Sequence, residues 1–122
     1  MTREEFERVV SDTIDALPAS LRLRLNNVAF VVEEWPDRAT LQVAGVRNRT
    51  ELLGFYQGIP LTERTMDYGL VLPDKITIYR QPIVRQAGSD ENVRREIRET
   101  VLHEIAHYFG IDDDRLEELG AY

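Results

Sequence analysis

The 122-residue sequence contains no cysteine. Disulfides are therefore excluded, and any bound metal has to be held by nitrogen and oxygen ligands. Lysine is nearly missing too: Lys75 stands alone among cations that are otherwise arginine, and acidic residues outnumber basic ones 22 to 15, for a net charge of −7. Affinity for nucleic acid rests on clustered Lys and Arg, so this balance argues against a phosphate-binding surface. No apolar run approaches the eighteen or so residues of a membrane span. The opening MTREEFERVV lacks the basic-then-apolar order of a signal peptide. The expectation is a cytoplasmic protein that touches neither membrane nor nucleic acid, folded as a single domain over residues 1–122, a length sufficient for an ordinary core.

Histidine is scarce, and both copies stand in HEIAHYFGIDD at 103–113. His103 and His107 are four apart, which on a helix puts both imidazoles on one face with Cβ atoms about 5–6 Å apart, suited to two ligands of a single ion. Glu104 follows the first histidine. From there a carboxylate points beside the ion and can take a proton from water without itself being a ligand. Gly110 is placed for a left-handed helix stop, after which the chain can double back. Asp113 is then a candidate third ligand, which leaves a fourth coordination position open, as in catalytic sites. Asp112 is its rival. Asp114 with Glu117 fits a D-x-x-E cap opening a short last helix, which assigns Asp114 to structure.

The rest reads as scaffold in an α+β arrangement. Residues 2–17 have the spacing of an amphipathic helix, with Phe6, Val9, Val10, Ile14 and Leu17 on one face and Thr2 with Glu5 as a capping box. Pro18 opens a short second helix, closed by Asn26 and Asn27. Residues 28–33, VAFVVE, read as a buried strand. Residues 39–45 are ambiguous between a strand and a loop, and 47–50 read as polar linker. Residues 52–57 are a second strand, in which Gly54 signals a bulge or a close backbone approach; as an edge strand it could pair with an extended peptide. Residues 58–69 read as a loop that rims a cleft. Residues 75–80 alternate as a half-buried strand, ended by Pro82, and 82–87 can form a helical turn. A long helix follows over 91–109 with Ser89 or Asp90 as N-cap. Its stripe of Val93, Ile97, Val101, Ile105 and Tyr108 faces the sheet, and the histidines project from the other side with Glu96 and Thr100.

The pattern H-E-x-x-H-x-x-G-x-x-D, formed by His103, Glu104, His107, Gly110 and Asp113, resembles the zincin metallopeptidases that take aspartate as third ligand. Together with LGFYQGIPLTER at 53–64 and VLPDKITIYRQPI at 71–83, it resembles the small bacterial mini-zincins, the zincin-like metallopeptidase family. The resemblance implies a minimal zincin-like fold: an N-terminal helix, a small mixed sheet of three to four strands, a long active-site helix and a short C-terminal helix. It also implies one zinc ion on His103, His107 and Asp113, with Glu104 as general base for hydrolysis of a peptide or protein substrate. Only nine residues follow Asp113, too few for the methionine turn or second subdomain of larger zincins, so substrate is expected on one side of a shallow groove. A zinc-binding domain that acts through protein contacts without turnover is the alternative. A ribosome-maturation ribonuclease with a three-histidine frame is disfavoured by Asp113 at the third position and by the acidic charge. For a second oxyanion donor, Tyr56, Tyr68, Tyr79 and Tyr108 are open candidates.

Overall fold

The structure, a computed structural model, describes residues 1–25, 27–58, 74–112 and 114–115. Helix α1 (Arg3–Asp15) begins where Thr2 Oγ1 accepts a hydrogen bond from Glu5 N–H at 3.1 Å. Its apolar face buries Phe6, Val9 and Val10. A single turn, α2 (Ala19–Arg22), follows Pro18. Asn26, expected to help close it, lies outside the described residues. Among the described residues the sheet has three strands in the order β1-β3-β2, with β1 (Val28–Glu33) parallel and β2 (Gly54–Gln57) antiparallel to the central β3 (Asp74–Tyr79). Helix α4 (Arg80–Ala87) grows directly out of β3, and α5 (Asp90–Tyr108) crosses beneath the sheet.

The core lies between the sheet and the helices α1 and α5. Phe6, Ile76, Ile78, Ile83, Ile97 and Val101 are all fully inaccessible to solvent there. The stripe read from the sequence, Val93, Ile97, Val101, Ile105 and Tyr108, is buried throughout, and Ser89 is the N-cap, accepting from Asn92 N–H. The fold is α+β with a mixed sheet, as expected. No described helix is long and apolar enough to cross a membrane.

Four local readings are corrected. Residues 39–45 lie in neither a strand nor a loop but largely in helix α3 (Arg38–Ala44), opened by Asp37, whose Oδ1 accepts from Thr40 N–H at 2.7 Å, and closed by Gly45 at φ 73°. No residue of α3 is buried and Val43 is 77% exposed, so there is no apolar stripe from which periodicity could identify it. Its caps were the available signal. The polar stretch 47–50 includes the start of a 3-10 turn, Arg49–Glu51. VAFVVE forms the expected strand, but among the described residues it lies at the sheet's edge, where only Val32 is buried. Pro82 does not end β3; it sits in the first turn of α4, where its missing N–H leaves no bond unmade.

An ionic cluster ties the ends of three elements together. Glu34 accepts hydrogen bonds from Arg80 Nη1 (2.6 Å), Gln81 Nε2 (2.9 Å) and Arg3 Nη1 (3.4 Å), while Arg3 Nη2 donates to Val32 O at 2.6 Å. The bond from Gln81, followed by the bond and charge of Arg80, holds the Glu34 carboxyl below its ordinary value of 4.5. A carboxyl lowered by folding adds stability above its unfolded pKa, and this is lost as pH falls through the folded value. Glu34→Gln should therefore cost about 1 kcal/mol at pH 7, limited because the carboxylate is 37% exposed. The difference from wild type should shrink below about pH 4, in urea unfolding at pH 7 and pH 3. An equal loss at both pH values would assign the cost to packing.

Candidate metal centre

The site stands in the last two turns of α5. His103, Glu104 and His107 each offer a ligand atom, and these atoms all lie within 4.8 Å of one another. The two imidazole rings are 4.5 Å apart between centroids, inclined at 72°. Two imidazoles on one helix face, in a chain without thiolates, are donors that suit zinc or a similar borderline divalent ion, and the Glu104 carboxylate stands beside them. On its chemistry and spacing the cluster fits a metal.

Glu104 is the most enclosed of the three. It is 6% exposed, whereas both histidines are half-buried. Its Oε1 lies 3.2 Å from His107 Nδ1. In the tautomer of a neutral ring that donates from Nδ1 to this carboxylate, the Nε2 lone pair is the one available to an ion.

The covering of this flank comes from β2. Read at roughly 100° per residue from Val101, Glu104 falls at about 300°, Thr100 at 260°, His107 at 240° and His103 at 200°. Thr100 and Glu104 are both buried, because Gly54 of β2 lies directly against them. A Cβ added at Gly54 would stand 2.7 Å from Thr100 Cγ2 and 3.2 Å from Glu104 Cγ. The histidines come next round the helix, beyond the strand. Thr100, expected on the side of the helix away from the sheet, is thus buried against β2, and of the two readings of Gly54 the close approach is the one realised.

Backbone groups on that edge follow from the register. Tyr79 N–H donates to Leu53 O at 2.9 Å, so Leu53 and Phe55 turn their backbone groups toward β3. Gly54, between them, turns its N–H and C=O outward, to an edge on which no further strand lies among the described residues. A row of outward amide groups is the element an extended chain pairs with.

Helix α5 ends as its sequence indicates. Gly110, at φ 83°, donates to His107 O, and Ile111 donates to Ala106 O, the paired bonds of a Schellman stop. Beyond the turn Asp112 Oδ1 accepts from Arg115 N–H at 2.9 Å, so Asp112 caps the helical turn that holds Asp114 and Arg115. This corrects the assignment of the cap to Asp114: the first donor left without a helical partner within a short side chain's reach is three residues on, and from Asp112 that is Arg115. Asp113, Glu117 and the remainder of the tail lie outside the described residues, as do Tyr68 and residues 59–69 of the expected cleft-rimming loop.

The described tyrosines are now distinguishable. Tyr56 donates to Asp74 Oδ2 at 2.6 Å, and its ring packs edge-on against Tyr108, centroids 5.9 Å apart. Tyr108 donates to Arg24 O at 3.1 Å. Tyr79 is buried against Thr40, and burial, with the nearby Glu33 charge, pushes its phenol up to about 12. A separate open cleft of about 420 Å³, lined by Thr50, Glu51, Pro82, Arg85 and Gln86, contains none of the three clustered residues. Beside it the Trp35 ring is flanked by Arg49 at 4.0 Å and Arg85 at 5.2 Å.

A family model described as zincin-like metallopeptidase matches residues 25–121. That span takes in the sheet and all of α5 and leaves out α1, whose Phe6, Val9 and Val10 nonetheless complete the core. No curated protein matches the chain.

Proposed function

The chain belongs to the zincin-like metallopeptidase family, and on that premise we propose that it is a zinc-dependent peptidase in which Glu104 is the general base. The observation that carries the reading is the cluster of ligand atoms of His103, Glu104 and His107 within 4.8 Å on one helix, with Glu104 lying against Gly54 of β2. His103 and His107 would hold the ion, with Asp113 as the third ligand. A zinc ion bound there supplies Lewis acidity toward the scissile carbonyl and toward water.

The remaining work falls to the chain itself. Glu104 takes the proton of the attacking water at a carboxylate oxygen and returns it to the leaving amine. Its hydrogen bond with His107 Nδ1 holds that ring in the ligating tautomer until then. The amide and carbonyl of Gly54 pair with an extended peptide and lay its scissile bond alongside the histidines. The bonds of Tyr56 to Asp74 and Tyr108 to Arg24 support a structural role for both. The substrate class is a peptide or protein segment in extended conformation, met in the cytoplasm.

Two measurements test this. The purified protein should carry one zinc per chain by elemental analysis and should cleave members of a diverse peptide pool, with cleavage abolished by a chelator. Asp113→Ala should lose the metal, whereas Asp112→Ala should keep it at a cost of about 0.5–2 kcal/mol, as for other caps. Full zinc content in the Asp113 variant would give the third coordination place to another residue.

A further inference from the structure

Given that reading, the structure assigns Gly54 a positioning role for the general base: the missing side chain at this strand position lets β2 lie on α5 and sets where the Glu104 carboxylate sits. Its φ is not positive, so the requirement for glycine is one of space and not of backbone conformation. Three neighbours define that space, at distances from an added Cβ of 2.7 Å to Thr100 Cγ2, 3.2 Å to Glu104 Cγ and 3.3 Å to Thr77 O. The nearest is the branched methyl of a buried helical threonine, restricted about χ1 to two rotamers, so at 2.7 Å the strand or the threonine has to shift. The second belongs to the residue whose other end reaches His107 Nδ1. Any group at position 54 therefore acts on two things at once, the packing of the strand on the helix and the rotamer of Glu104.

These two effects separate by substitution. Gly54→Ala alone should lower both thermal stability and turnover. Adding Thr100→Ser removes the 2.7 Å methyl contact but leaves the 3.2 Å contact with Glu104. In the double variant Gly54→Ala/Thr100→Ser we expect the melting temperature to return to within a few degrees of wild type and zinc content to be unchanged. kcat should stay about 10- to 100-fold low with KM little altered, because small misplacement of a reacting group costs rate more than binding. A crystal structure of the metal-free double variant supplies a readout independent of turnover: the 3.2 Å contact between Glu104 Oε1 and His107 Nδ1 should open beyond hydrogen-bond distance. A double variant that keeps that contact, or recovers wild-type kcat along with its stability, overturns the proposal and leaves Gly54 a packing residue for Thr100. If wild-type protein loaded with zinc cleaves no peptide, the peptidase reading fails, and the metal-free structure still decides the role of Gly54.

Discussion

Replacing Glu104 with glutamine is expected to lower kcat/KM for peptide hydrolysis by about 10²- to 10⁴-fold, the range general-base catalysis supplies, while zinc remains at one ion per chain. The substitution is nearly isosteric, so the packing of the side chain against Gly54 is preserved. The amide oxygen can still accept from His107 Nδ1 at the 3.2 Å contact, which keeps the imidazole in its ligating tautomer. What glutamine cannot do is take a proton. Loss of turnover with the melting temperature and metal content intact would therefore isolate the chemical role. Equal hydrolysis by both proteins would remove the peptidase reading and leave the other one, a zinc-binding domain acting through protein contacts.

The second large effect concerns the ligands. His103→Ala and His107→Ala should each weaken zinc binding by more than about 100-fold, since even removing a partner that merely orients a ligand costs roughly 10- to 100-fold. Both rings are half-buried at the margin of the core stripe, so the metal-free variants should fold with little loss of stability. The coupling between metal and stability gives a clean measurement. Zinc at 100 times its dissociation constant should stabilise wild type by about 2.7 kcal/mol. The same addition should leave the melting temperature of either variant unmoved. A zinc-dependent rise that survives in both would place the ion on other residues.

Much of the helix that carries these groups was legible in the sequence, for local reasons. Helical geometry within a turn or two fixes which side chains share a face, so the burial of Val93 through Tyr108 and the proximity of His103 to His107 follow from spacing. Gly110 marked the stop for the same reason, because only a residue tolerant of φ 83° continues that turn without strain. Where spacing carries no information the reading failed. Helix α3 buries nothing and so has no pattern, and the choice of Asp114 over Asp112 as cap turned on where the next helical turn begins, which identical side chains in a row do not reveal.

The grouping of His103, Glu104 and His107, the helix that holds them and the family to which they point follow from the order of amino acids, since each depends on neighbours within a few positions. The tertiary structure alone decided that among the described residues β3 is central and β1 an edge, that β2 covers the Thr100 and Glu104 flank, and that Gly54 turns its amide away from β3. Gly54 and Glu104 are fifty positions apart, and no periodicity couples them. Only the packing of a strand on a helix, with room for a single hydrogen where a side chain would stand, brings backbone and carboxylate together.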